Sequence, residues 1–300
     1  MSAYEFLGTL EVGFVFGLVA LGTYLTFKIL DFPDLTVEGT FPLGAAVTAT
    51  LIVAGHWNPW VATAMAPVAG FAAGLLTAYL NVRFKILHIL AGILVAISLY
   101  SINLRIMAAP NKALLNAKTI LSTFEGYGVP VYMISPIFFG LVVLVCKILI
   151  DLFLMTGVGM AMRAAGANPA MAAANGVDVS RMKLLGVGLA NALVALAGAL
   201  FAQLFGAADA YMGIGVIIVG LASVIVGMAI MPSRFLFIAT LSCIIGALLY
   251  RFAVALALNA DFLGLQASDV QLVTAILVIA TLVAQSQRAS LGKLFKWKTA

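Results

Sequence analysis

The sequence predicts an all-α polytopic membrane protein, and three observations carry that prediction. Hydrophobic residues make up 64% of the 300 positions and charged residues only 9%, with a mean hydropathy of +1.17. No soluble domain hides that much apolar surface. Apolar runs of helical-span length recur along the whole chain, and the basic residues gather at their ends. The net charge of +5 therefore follows from membrane topology and calls for no nucleic-acid partner.

The runs fall near 8–30, 41–55, 59–81, 86–105, 131–155, 183–206, 212–230, 235–257 and 269–287, giving about eight or nine transmembrane helices in one transmembrane domain over 1–300. The first run carries Glu5 and Glu11 and no basic residue before Lys28. It therefore lacks the basic n-region of a signal peptide and reads as a retained span. With nine spans, Lys28, Arg83, Lys85, Arg163, Arg181, Lys183, Arg234 and the basic tail share one side of the bilayer. By the positive-inside rule that side is the cytoplasm, which puts the C-terminus inside and the N-terminus outside.

Gly13/Gly17 and Gly70/Gly74 have small-xxx-small spacing, read here as internal helix packing rather than a dimer seam. Between runs one and two lies L30-D-F-P-D-L-T-V-E-G-T-F-P-L-G44. The apolar run after it is too short to cross a bilayer. Part of Thr36–Gly44 is therefore expected at membrane depth as a discontinuous helix, protected by protein or a wet cavity. Asp34 reads as a helix cap; Glu38 reads equally as a gate element or as a contact for an amino group. Breaks of this kind mark solute paths.

The external loop Arg105–Pro130 holds Arg105, Lys112 and Lys118 against the prevailing charge bias. An acidic protein docking from outside is one reading and a solvated connector the other; Ala113–Phe124 reads as a short amphipathic piece. Lys147 and Asp151, four residues apart in span five, read as a structural pair rather than a proton relay. Arg251 is expected to snorkel outward. Cys146 and Cys243 lie within apolar runs and read as buried small hydrophobes.

The segment Thr156–Met182 is far longer than a plain connector. Asn168 suits an N-cap, Pro169 the first helical position and Gly176 a left-handed stop, so a short helix is predicted between them. Asp178 or Ser180 then caps the next span. A helix so delimited, with Ala170, Met171 and Ala174 outward, reads as a docking element.

After span six, D209-A-Y-M-G213-I-G215-V-I-I-V-G220 sets acid, glycine and apolar run in the order seen at Asp34–Gly44. The assigned topology puts the halves 1–108 and 183–287 in opposite orientations, joined by span five and the loop 156–182. That predicts inverted repeats with paired breaks. His56 and His88 stand apart from other potential metal ligands, and no phosphate-cradling loop or nucleophile constellation is present, so no enzyme activity or cofactor is read.

Five stretches together resemble a known family: D34-L-T-V-E-G-T-F-P-L-G-A-A-V, A91-G-I-L…Y100-S-I-N-L-R-I-M, G166-A-N-P-A-M-A-A-A-N-G-V, M182-K-L-L-G…N191-A-L-V-A-L-A-G-A-L and M212-G-I-G…G220-L-A-S-V-I-V-G. They are similar to permease subunits of bacterial ABC importers of the branched-chain amino acid type, in the branch of putative tryptophan and other amino-acid permeases. The resemblance implies a type II-like importer fold in the inner membrane. It implies a cytoplasmic ATPase, which binds the ATP, gripping a coupling helix with Arg163, Ala164, Gly166, Asn168, Pro169, Met171, Asn175 and Gly176. It further implies a solute-binding protein docking outside, at Arg105, Lys112 and Lys118, and a second permease copy forming a homodimer. The translocation path would run past Asp34, Thr36, Glu38, Gly39, Asp209, Tyr211, Gly213 and Gly215. Two departures stand out: Met162-Arg163-Ala164-Ala165 replaces a Glu-Ala-Ala start, and the first break carries three acids where branched-chain relatives have Asn-Phe-Ala-His-Gly. The rival reading is a self-sufficient secondary transporter or channel.

Overall fold

A computed structural model describes residues 3–115, 117–124, 131–233, 235–258, 272, 275–276 and 279. The expected ninth span, the basic tail, Arg234 and the Glu125–Gly128 stretch lie largely or wholly outside those residues.

The described chain is helical almost throughout. α1 (Ala3–Thr23) closes in π-helical turns over Tyr24–Ile29, then α2 (Val37–Val53), α3 (Pro59–Phe84) and α4 (His88–Met107) follow. α5 (Val131–Met155) leads into α6 (Gly157–Ala167) and α7 (Pro169–Ala174), then α8 (Val179–Phe205), α9 (Val216–Ile230) and α10 (Leu236–Leu258). Six helical segments among the described residues are long and apolar enough to cross a membrane; α2 and α9 are apolar but shorter, at 17 and 15 residues. This is a multi-pass α-helical membrane protein. Its only strands among the described residues are β1 (Asn111–Ala113) and β2 (Ala207–Asp209), paired antiparallel with Lys112 opposite Ala208. The stretch from Ala113 to Phe124 is thus not an amphipathic helix among its described residues: its start is recruited to β2, and Leu121–Phe124 makes a 3₁₀ turn.

α8 is the central post. α2 and α3 approach it backbone to backbone because glycines stand where a side chain has no room. A Cβ on Gly44 would strike the Ala195 carbonyl, one on Gly198 the Phe41 carbonyl, and one on Gly70 the Asn191 carbonyl. Small residues give helices in lipid the close van der Waals packing that drives their association. Gly74 also faces α8, while Gly13 and Gly17 face α10, so both glycine pairs serve internal packing. Cys146 and Cys243 are unbridged, and Cys243 is buried.

Lys147 and Asp151 form an ion pair at 2.5 Å, with the lysine fully buried. Thr240 of α10 donates to Asp151 Oδ1 at 2.7 Å, and the ammonium sits 2.9 Å from the Phe237 ring centre. The pair ties α5 to α10. Arg251, half-buried, lays its guanidinium over Phe16, 3.8 Å from the ring centre, a cation–π contact between α10 and α1.

Candidate functional site

Two interruptions of the helical chain converge. The first spans Leu30–Thr36, shorter than expected and earlier, because helix α2 already runs from Val37 through Gly39, Pro42 and Gly44. The chain reaches that helix by local hydrogen bonds: the Thr36 N–H donates to Asp34 Oδ1 at 2.9 Å, and Thr36 O accepts the N–H groups of Gly39 and Thr40. Asp34 thus closes the turn before α2 and is not its cap as expected: the helix begins two residues later than Leu35, with Thr36 at the N-cap and no side-chain cap bond. Pro42 costs α2 the bond its missing N–H would make to the Glu38 carbonyl. Gly213 fills that gap, its α-carbon lying against the Glu38 carbonyl and the Pro42 ring.

The second interruption is Gly206–Gly215, also earlier than the expected Tyr211–Gly220, since α9 is helical from Val216. Gly206 and Gly215 both adopt left-handed backbone, φ +70° and +79°, which glycine takes without steric cost. Between them Asp209 Oδ1 accepts the Tyr211 N–H at 2.7 Å.

The breaks meet at Glu38. The Gly215 N–H, at the start of α9, donates to Glu38 Oε1 at 3.2 Å, so one carboxylate stands in the first turn of α2 and at the N-terminus of α9. Both helix ends carry partial positive charge that a carboxylate complements. Beside it is a cavity of about 240 Å³ lined by Glu38, Gly39, Pro42, Tyr100, Asn103 and Tyr211 among others. Tyr100 donates its hydroxyl to the Tyr211 hydroxyl at 2.7 Å, with the ring centres 5.4 Å apart. Asn103 is fully buried and donates Nδ2 to the Gly39 carbonyl at 3.3 Å, while its Oδ1 meets no donor among the described residues. Counting from His88 at 1.5 Å per residue, Ala96 to Asn103 occupy roughly the stretch 12–22 Å along α4, near mid-helix.

Of the expected path residues, Glu38, Gly39, Tyr211, Gly213 and Gly215 come together here. Asp34 and Thr36 do not line this cavity. They belong to a buried polar network behind it, in which Asn191 Nδ2 donates to Asp34 Oδ2 at 2.6 Å and the Thr40 hydroxyl to Asn191 Oδ1 at 2.8 Å. Thr36 and Thr77 share a hydroxyl–hydroxyl bond of 2.7 Å. Asp209 sits on β2, near the Tyr100–Tyr211 pair, and accepts from Asn111 Nδ2 at 3.5 Å. Tyr100, Asn103 and Asn191 were not predicted as site residues. The signal was present in the polar positions Tyr100 and Asn103, three apart on one face of a mostly apolar helix.

At the opposite end of α8, Thr156–Met182 holds two helices rather than one in a loop. Thr156 accepts the Gly159 N–H at 3.2 Å to start α6, and Asn168 accepts the Met171 N–H at 3.0 Å to start α7, with Pro169 at its first position. Asn175 Nδ2 donates to the Met171 carbonyl, Gly176 takes φ +82°, and Asp178 accepts the Arg181 N–H to start α8. Arg163, Ala164, Ala170, Met171 and Ala174 are exposed. Gly166 is the inner contact: its α-carbon abuts the carbonyl of Ile29 and the backbone of Leu30, where the first break begins. Arg105, exposed, and Lys112 lie at the β1–β2 end, with Lys112 Nζ donating to the Met107 carbonyl at 3.4 Å. Lys118, also exposed, lines a separate cavity of about 620 Å³ with His56 and Trp57.

A bundle of apolar helices interrupted twice, with polar groups gathered where the breaks meet, is the construction of a solute-transport protein. The comparison with known proteins makes this specific. The family described as "Branched-chain amino acid transport system / permease component" matches residues 6–283, and the chain belongs to it. It is similar to the tyrosine transport system permease protein of Clostridioides difficile (strain R20291), 40% identical over 281 residues, covering 93% of this chain and 90% of that protein. An uncharacterized protein of Rickettsia prowazekii (strain Madrid E) is 32% identical over 274 residues, covering 87% of this chain and 91% of the relative. No solved structure matches the chain. The protein is thus an ABC-type permease for amino-acid import, a transport subunit.

Proposed function

We propose that this chain is the membrane half of an importer that carries an aromatic amino acid, tyrosine or a close analogue, into the cytoplasm past the Glu38–Tyr211 cavity. The observation that carries the reading is the meeting of two chain breaks at one carboxylate, Glu38, beside a cavity with a tyrosine pair. The tyrosine permease relative supports the aromatic choice. A cytoplasmic ATPase grips α6–α7, meeting the exposed residues Arg163, Ala164, Asn168, Pro169, Met171, Asn175 and Gly176, with Gly166 on the inner side of the same segment. Gly166 carries its movement to Ile29 and Leu30, and so to the first break. A solute-binding protein docks outside, over the end bearing Arg105, Lys112 and Lys118, and two permease copies form a homodimer. The inverted-repeat reading is supported by the sequence of elements in each half: long helix, break, short helix, long helix, in α1–α2–α3 and in α8–α9–α10. With α2, α9 and the run 269–287 the spans number nine, the C-terminus lies in the cytoplasm, and the N-terminus lies outside.

Uptake of labelled tyrosine into proteoliposomes tests this. Accumulation is expected only when the ATPase, the solute-binding protein and ATP are all present. Accumulation by the permease alone, driven by an ion gradient, would make it a secondary transporter instead.

A further inference from the structure

The cavity between α2, α4 and the second break holds hydrogen-bond acceptors and aromatic rings, and no basic side chain is among the described residues that line it. Glu38 brings a carboxylate whose hydrogen-bond partner among the described residues is the single Gly215 N–H. Asn103 brings a fully buried amide oxygen, Oδ1, with no donor to meet it. A buried acceptor left unmatched costs free energy, and a carboxylate at membrane depth without a cation costs more. Both deficits are met by one kind of guest: a protonated amine, which donates and carries positive charge. Next to these acceptors stand Tyr100 and Tyr211, their rings 5.4 Å apart and tilted at 49°. Their faces suit an aromatic ring or an ammonium group.

We propose that this cavity is an amine-recognition site, in which Glu38 and Asn103 Oδ1 take the ammonium of the substrate and the Tyr100–Tyr211 pair takes its aromatic side chain. The proposal rests on the transport reading above and deepens it. The ammonium end is what the cavity reads. The described lining holds no cation, so a carboxylate meets only neutral donors there, such as the Tyr211 hydroxyl, and gains no ion pair. An aromatic amine lacking the carboxylate therefore binds like the amino acid, whereas an aromatic acid lacking the amine does not.

The test is equilibrium binding to the full-length permease in lipid nanodiscs, without its solute-binding protein, using tyrosine, tyramine and 3-(4-hydroxyphenyl)propionate. Tyramine and tyrosine are expected to bind with affinities within about tenfold of each other, and the propionate at least about tenfold more weakly, since a charged hydrogen bond contributes about 1.5–3 kcal/mol. Glu38→Gln and Asn103→Leu should each weaken tyramine binding by about tenfold, and Glu38→Asp, which keeps the charge, should restore much of it. Asn103→Leu leaves the Glu38 carboxylate in place, so it stands in if Glu38→Gln does not fold. Equal binding of the propionate, binding indifferent to both substitutions, or no binding of any probe would overturn the proposal. Should ATP-dependent tyrosine uptake persist alongside any of those results, the transport reading stands and the amine site alone fails; loss of that uptake fails the reading itself.

Discussion

Asn191 of α8 donates to the Asp34 carboxylate at 2.6 Å, and both side chains are cut off from solvent. That bond joins the first break to the central helix, and Asn191 passes it on by accepting from Thr40. Leucine at position 191 would leave the carboxylate with only the Thr36 N–H side satisfied. Asn191→Leu should lose about 3 kcal/mol or more of stability, read as a lowered unfolding midpoint in detergent. An unchanged midpoint would show that Asp34 is stabilised by something other than this network.

The Lys147–Asp151 pair is structural on the present geometry, which makes a double-substitution cycle informative. Lys147→Met leaves Asp151 buried and uncompensated and should cost about 3–5 kcal/mol. Adding Asp151→Leu should recover most of that loss, because an apolar pair of similar volume is often neutral or stabilising. If the double variant folds well but transports nothing, the pair carries a functional charge.

Gly166 lies against the Ile29 carbonyl with no space for a Cβ. Gly166→Val should therefore push α6 off the first break. Overpacking of this kind costs about 1–3 kcal/mol, enough to shift a two-state element by about fivefold or more. Transport per ATP hydrolysed should fall while hydrolysis itself continues. An unaltered ratio would place the coupling contact elsewhere.

Much of this was legible in the sequence, and the reasons differ by element. Capping chemistry is local, so Asn168, Pro169, Gly176 and Asp178 fixed the ends of α7 and the start of α8 in advance. The breaks were visible from acidic and glycine residues between apolar runs, but each was placed too late. Pro42 reads as a helix breaker in isolation, yet here the glycine backbone at 213 covers the carbonyl it leaves free, so α2 continues through it. That is a tertiary contact, and nothing near position 42 announces it. Asn191 escaped for the same reason: a single amide in an apolar span has no local signature of its partner on another helix, whereas Asn103 at least shared a face with Tyr100. Ala113 entered a strand because Ala207, far along the chain, offers it an edge.

Arg105, Lys112 and Lys118 are expected to steer a solute-binding protein of opposite charge. Neutralising Lys112 and Lys118 together should slow association and flatten its dependence on salt while changing dissociation little. Association equally fast in both proteins at low ionic strength would remove these residues from the docking surface.

The convergence of both breaks on Glu38 is tested most directly by Glu38→Gln in the reconstituted complex, with tyrosine uptake and ATP hydrolysis measured on the same vesicles. The account predicts uptake reduced by about tenfold with hydrolysis largely retained, because the path loses its charge while the coupling helices are untouched. An equal loss of both activities, or no loss of either, would contradict it.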